Sequence, residues 1–336
     1  MRQIPLVPRF LLCLVAGAVP ALLFALLVLR LDHLEREPRR LLLATFVWGA
    51  APAILFSFWV EGLINVPLGA YLGESGHSVM ASLVAPPVEE VLKAFGLFGI
   101  WWFARYELDG ALDGVVYGSL VGFGFAMTEN VIYFLGYEES VLEWAGLVLG
   151  RSVAFGLNHA MFTAITGVGF AVARAQKTRV RKAWPVALGL TGATLAHLLH
   201  NALLDAGSLC FFSLLVDWVG VAVIAGIVVL ARRRERQWLT EELDDQVGQG
   251  LLDCEVFERI VARRASVWHG LHEVMRRPPQ GAREWQKVIQ AASEFAFAKR
   301  QSRSGARDLA AVESLRQELL GSIERWRGAT NQYADR

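Results

Sequence analysis

The alternation of long apolar runs with short polar breaks predicts a helical membrane protein. Apolar runs of bilayer-crossing length cover 10–29, 41–60, 81–104, 111–135, 144–173, 184–204 and 209–231. A spanning helix needs about 20 predominantly apolar residues, so the expected fold is an all-α, polytopic transmembrane helix bundle of about seven spans. The first run exceeds the apolar core of a signal peptide and no small-residue cleavage pattern follows it, so it is read as a span. Glu61 to Met80, with Pro67, Glu74 and His77, reads as a Gly-rich loop between the second and third spans.

From Gln237 the pattern changes. Residues 237–336 are polar, with helical-period stretches around Val256 to Met275, Glu284 to Lys299 and Ala306 to Arg327, broken by Pro278-Pro279 and by Ser302 to Gly305. The chain therefore divides into a transmembrane core, 1–236, and a cytoplasmic helical appendage, 237–336. That tail is a candidate binding surface for a regulator.

Composition fits this division. Hydrophobic residues make up 54% of the 336 and charged residues 19%, where a soluble domain averages about 25% charged; the mean hydropathy is +0.38. The net charge of +1 is a cancellation between separated charges and points to no nucleic-acid partner. Basic residues collect in alternate breaks, at Arg30 to Arg40, Arg105, Arg174 to Lys182 and Arg232 to Arg236, while Arg2 and Arg9 stand opposite. The positive-inside rule then puts the N-terminus outside and the C-terminus in the cytoplasm of a multi-pass cell-membrane protein, with the lipid bilayer as its surroundings. Cys13, Cys210 and Cys254 are far apart and show neither metal-ligand spacing nor a disulfide framework.

Polar residues inside the spans carry the candidate chemistry, because an ionisable group in hydrocarbon is costly and marks a functional site by default. The third span holds Glu89, Glu90 and Lys93. At about 100° per residue the two glutamates face different ways, so one can pair with Lys93 while the other faces a cavity. The fourth span holds Glu129 and Asn130, the fifth Arg151 and His159, and the sixth His197, His200 and Asn201. With the rise of an α-helix, Glu89, Glu129, His197 and Asn201 lie roughly 5–12 Å from the outer ends of their spans, and His159 lies deeper. Taken singly, Glu90 with Lys93 can be an ion pair, Arg151 can snorkel or pair with Glu129, and His200 can hydrogen-bond a neighbouring helix. Taken together, the carboxylates and imidazoles supply what peptide hydrolysis needs. A desolvated glutamate serves as base for water, an imidazole moves protons, and the Asn201 amide, four residues from His197, stabilises an oxyanion. No cofactor is indicated with certainty; zinc is permitted, with His159, His197 and Glu129 as a possible ligand set. Buried Glu and His groups also suit a proton-coupled transporter, although the internal repeat usual for transporters is missing. A non-catalytic membrane scaffold presenting its tail is the third reading.

Four segments occur in order on successive spans: PPVEEVLK (Pro86 to Lys93), GFGFAMTENVIY (Gly122 to Tyr133), RSVAFGLNHAMFTAITG (Arg151 to Gly167) and HLLHNALLD (His197 to Asp205). This series resembles the PrsW family of intramembrane proteases over about Ala81 to Asp205. The resemblance implies an endopeptidase that cuts a single-span membrane protein, such as an anti-sigma factor, near the outer face of the membrane, as a site-1 protease in regulated proteolysis. It implies catalytic roles among Glu89, Glu90, Glu129, His159 and His197, with Asn201 in support; Lys93, Asn130, Arg151 and His200 surround them. The family is also similar to the CAAX prenyl endopeptidases, whose second motif offers a His where this chain has Glu129.

Overall fold

The computed structural model describes residues 4–30, 37–73, 75–104, 107–138, 140–263, 279–303 and 308–334. Arg2, Arg36, Glu74, Arg105, Glu139, Gly305 and the part of the 256–275 stretch beyond 263 lie outside them. Among the described residues there is no strand, and the fold is all-α. The helices are α1 (Leu6–Leu29), α2 (Arg39–Leu72), α3 (Ser75–Val79), α4 (Ala85–Phe103), α5 (Ala111–Gly136), α6 (Val141–Leu149), α7 (Asn158–Arg174), α8 (Arg179–Asp205), α9 (Cys210–Gly248), α10 (Cys254–Arg263), α11 (Pro279–Arg303) and α12 (Leu309–Ala334). Among the described residues, six helical stretches are long and apolar enough to cross a membrane: α1, α2, α5, Val141–Arg174, α8 and α9. The remaining expected span, α4, carries the three charges and packs among α2, α5, α7 and α8.

Local sequence sets the breaks. Pro52 sits in a π turn, Gly49–Ala53, so α2 absorbs the missing N–H without ending. The segment read as a loop after Val60 is instead largely helical. Its apolar residues carry α2 on to Leu72, and the helix stops only where Gly73 takes a positive φ of 60°, which glycine tolerates best. Ser140 and Glu143 form a reciprocal capping box at the start of α6, each accepting the other's backbone N–H at 3.2 Å. The fifth expected span is interrupted by a π turn, Gly150–Ala154, and a non-helical turn at 155–157, so Asn158 and His159 open a new helix.

The centre of the bundle is α5, whose most apolar window is 83% buried, against 17–28% for α1, α2, α8 and α9. Glycines make this possible. A Cβ on Gly114 would come within 2.5 Å of the Gly167 carbonyl oxygen, and one on Gly122 within 2.3 Å of the His159 carbonyl, so α5 and α7 meet backbone to backbone. On its other side α5 meets α2, where a Cβ on Gly49 would come within 2.0 Å of the Val121 carbonyl.

The chain forms two compact units, one ending at Val229 and one beginning at Leu230. The second has its own apolar core, in which Leu239, Leu243, Val256, Ile260, Val288, Phe295 and Ile323 surround Trp285 and Trp326, whose rings lie 4.7 Å apart.

The glycine contacts generate a stability prediction. Gly114→Ala or Gly167→Ala forces α5 from α7 and lowers stability by about 1–3 kcal/mol, the usual cost of overpacking. Gly99→Ala, where no atom beyond its own helix backbone and chain neighbours lies within 4 Å of the added methyl, leaves the thermal midpoint of detergent-solubilised protein unchanged or raised. Equal midpoints for all three variants would remove the close-packing account.

Candidate active site

A buried ammonium organises the polar interior. Lys93 and Glu90 are fully buried, and Glu89 and His197 nearly so. Lys93 Nζ donates to Glu89 Oε2 at 3.0 Å, to Glu90 Oε1 at 2.8 Å and to His159 Nδ1 at 3.0 Å. An ammonium has three donors, and all three are matched. The Phe125 ring lies 3.9 Å from the same nitrogen and adds a cation–π contact.

These bonds fix the imidazoles. His159 Nδ1 faces an obligate donor and so accepts; its Nε2 carries the hydrogen and donates to Glu129 Oε2 at 2.9 Å. His197 Nδ1 faces Glu90 Oε1 at 3.0 Å, and a carboxylate only accepts. His197 therefore carries its hydrogen on Nδ1, leaving the Nε2 lone pair free to take a proton or bind a cation. The two rings stand perpendicular with centroids 5.1 Å apart, and Phe162 stacks on His197 at 4.7 Å.

Around this centre, Arg151 Nη2 donates to Glu129 Oε2 at 2.8 Å and Arg151 Nε to Asn130 Oδ1 at 2.9 Å, while the guanidinium covers the Tyr133 ring at 3.8 Å. Thr163 Oγ1 donates to the His159 carbonyl at 3.0 Å and lies 3.5 Å from Glu90 Oε2. Glu90 is thus held by Lys93 and His197, with Thr163 close by. Glu89 is bonded to Lys93 at one oxygen, and its side chain is 9% exposed against 0% for Glu90. Of the adjacent pair, Glu89 is the one that keeps exposed side-chain surface.

The structure brings Glu89, Glu90, His159 and His197 together, each offering a ligand atom within 4.8 Å of the others. Glu129 is engaged with Arg151 and His159 Nε2, so it orients His159 from behind. The amide of Asn201, the expected oxyanion donor, meets backbone. Ala85 N bonds to Met80 in the π turn Met80–Val84, and the next bond in that register would run from residue 86 to the Ala81 carbonyl. Pro86 has no N–H to give. Asn201 Nδ2 donates to that carbonyl at 2.8 Å, so its amide clamps α8 to the start of α4. His200 faces away from the cluster, toward Asp217 on α9 at 2.7 Å.

One residue of this neighbourhood escapes a sequence reading. Glu61 on α2 has a buried Oε1 with no hydrogen-bond partner and lies within electrostatic reach of Glu89, Glu129 and Lys93. The apolar run that continues past it to Leu68 was the available sign that it belongs to a helix.

Fold and site together define a multi-pass membrane protein with an acid–base centre enclosed by its helices. The chain belongs to the PrsW family: the family described as "PrsW family intramembrane metalloprotease" matches residues 37–231, more than half of the sequence, and the resemblance carried by the four ordered motifs holds. It is similar to the protein named Protease PrsW in Geobacillus kaustophilus, 29% identical over 166 residues covering 47% of this chain and 65% of that protein. It is likewise similar to Protease PrsW of Bacillus subtilis, 28% identical over 193 residues (57% and 82%), and of Oceanobacillus iheyensis, 27% over 220 residues (66% and 95%). The match thus spans just under two thirds of the Geobacillus protein. No solved structure matches.

The ammonium yields the next prediction. In Lys93→Met, Glu89 and Glu90 keep their buried positions without a counter-charge. Breaking a buried pair this way costs about 3–5 kcal/mol, so the thermal midpoint falls sharply. A midpoint equal to that of the parent protein would mean that the ammonium does not hold the pair.

Proposed function

We propose that this chain is an intramembrane endopeptidase that hydrolyses a peptide bond of a single-span membrane protein near the outer face of the membrane, Glu89 activating the water. The observation that carries this reading is the convergence of Glu89, Glu90, His159 and His197 on one small volume around Lys93, with Glu89 alone of the two glutamates keeping exposed side-chain surface. An anti-sigma factor is the substrate type that the family resemblance suggests. The orientation proposed is the one that the basic breaks favour, with the N-terminus outside and the C-terminus cytoplasmic.

In this mechanism Glu89 takes a proton from water as the water oxygen bonds to the scissile carbonyl carbon. The protonated Glu89 then hands that proton to the leaving nitrogen as the C–N bond breaks, so one group serves as base and acid in turn. Lys93 supplies fixed positive charge beside the oxyanion that develops, in a volume with little water to screen it. His197 is held by Glu90 at Nδ1 and keeps Nε2 unprotonated, and Glu129 keeps His159 in the tautomer whose Nδ1 meets Lys93.

The family description names a metalloprotease, and the donor set fits a divalent ion. Two carboxylates and two imidazoles are ligands zinc accepts, and His159 has the carboxylate behind its outer nitrogen that metal-bound histidines usually have. Glu90, His159 and His197 would hold the ion, leaving Glu89 as the base, and the ion would supply Lewis acidity toward water or carbonyl oxygen. Glu90 and His159 now bond to Lys93, so ion and ammonium compete for the same acceptors.

Two experiments test this reading. With the protein in liposomes and a single-span reporter, Glu89→Gln and His197→Ala lower cleavage by about 10²–10⁴-fold, the usual worth of a positioned acid–base group, while both variants accumulate in the membrane. Full activity in either variant overturns the mechanism. For the metal, zinc raises the thermal midpoint of Lys93→Met more than that of the parent protein, because stabilisation by a bound ligand rises with its affinity. Chelator removes the gain. Absence of any zinc effect on either protein, with cleavage persisting in chelator, overturns the metal proposal and leaves Glu89 as a metal-free base.

A further inference from the structure

Behind the site lies a second buried polar group whose members come from three helices. Asp217 on α9 accepts at a single oxygen, Oδ2, from His200 Nδ1 at 2.7 Å, Asn158 Nδ2 at 2.9 Å and Ser213 Oγ at 3.3 Å. Ser213 Oγ also lies 2.8 Å from His200 Nδ1, and Asn158 Nδ2 lies 3.1 Å from it. Asn158, His200, Ser213 and Asp217 are all buried.

A serine, a histidine and an aspartate in contact invite comparison with a nucleophilic triad, and the geometry excludes it. In a triad the acid holds Nδ1 and the serine gives its proton to Nε2. Here Ser213 and Asp217 meet the same nitrogen, Nδ1, so the ring cannot pass a proton from one side to the other.

The neighbours of these residues show what the group does. Asn158 opens α7 and precedes His159. His200 lies one turn beyond His197 on α8. The Phe162 ring stacks on His197 at 4.7 Å and lies 6.0 Å from His200, whose other side meets Phe155 edge-on at 5.1 Å. The apolar window of α9 is only 17% buried. Its attachment is therefore narrow: Val221 and Ile224 pack on Met161 and Phe162, Trp218 Nε1 donates to the Ala154 carbonyl at 3.2 Å, and the Asp217 group supplies the buried polar bonds.

We propose that Asp217 is a positioning residue for the active site: from α9 it fixes the first turn of α7 and the rotation of α8, and so the aim of His159 Nδ1 and His197 Nε2. This rests on the endopeptidase reading above. Asp217 touches no reacting atom, so its loss acts on turnover through misplaced imidazoles and leaves substrate binding alone. A small misplacement of a catalytic group is enough for a large loss of rate.

The test uses the full chain in liposomes with the single-span reporter. Asp217→Ser lowers kcat by about 10–100-fold with KM unchanged. Ser213 lies four residues earlier on the same face and already meets His200 Nδ1, so the double variant Ser213→Asp/Asp217→Ser moves the carboxylate by one turn and restores most of the lost kcat. A purely structural aspartate would show neither the kcat–KM split nor the rescue. Asp217→Asn keeps the shape of the side chain and serves if the serine variant fails to accumulate; it too loses kcat at unchanged KM and with a preserved thermal midpoint. Parental kcat in Asp217→Ser or Asp217→Asn overturns the inference, as does a double variant that folds with the parental midpoint and stays as slow as Asp217→Ser. A parent protein that does not cleave the reporter counts against the endopeptidase reading instead.

Discussion

A lysine ammonium with no exposure to solvent must find all of its partners inside the protein, and this requirement ties four helices together. Two of the three acceptors of Lys93 come from its own helix, Glu89 and Glu90, and the third, His159 Nδ1, comes from α7. Each acceptor then carries the demand outward. Glu90 faces His197 on α8, and His159 commits its other nitrogen to Glu129 on α5. An error in the rotation of any one helix would strand a charged or polar atom in a medium with nothing else to offer it, at a cost of several kcal/mol per group. Between lipid-facing helices the hydrophobic effect gives little reason to choose one register over another. The polar network does choose.

The network can form only because the helices carrying it come unusually close. Glu129 and His159 have side chains of ordinary length, and they meet because α5 and α7 touch through backbone at Gly114, Gly118 and Gly122. The glycine of that series nearest the site, Gly122, faces the carbonyl of His159 itself. Packing and chemistry are therefore set at the same positions. The break at 155–157 serves the same end, since a continuous helix from Val141 to Arg174 would fix the direction of His159 by the pitch of α6, whereas a new first turn lets Asn158 and His159 point to opposite neighbours.

Much of this was legible in the chain. The all-α membrane bundle follows from apolar length, and Glu89, His159 and His197, which the ordered motifs single out, are brought together. What escaped depends on pairing between distant segments. The bond from Asn201 to the Ala81 carbonyl is one such pairing, since that carbonyl lacks its helical donor only because Pro86 meets a π register. Glu61 was hidden by a loop reading that Gly62, Pro67 and Gly69 invited and that the helix overrode. The polar end of the chain showed its helices by period but not the Trp285–Trp326 core they enclose, since a shared core depends on which faces meet.

Adjacent glutamates on a helix cannot do the same work, because about 100° separates them. Glu90 points to the interior between α7 and α8 and meets Lys93 and His197, so its charge is spent on holding other groups still. Glu89 shares the same ammonium but keeps some exposed side-chain surface. Under the proposed mechanism the doublet separates two requirements that one carboxylate could not meet together. A charge that anchors must be fully matched and dry, whereas a base that accepts a proton from water must be only partly matched and reachable. Lys93, bonded to both, couples the two: a proton gained at Glu89 weakens its hold on the ammonium, which remains bound by Glu90 and His159, so the centre can change protonation at one member without losing its arrangement.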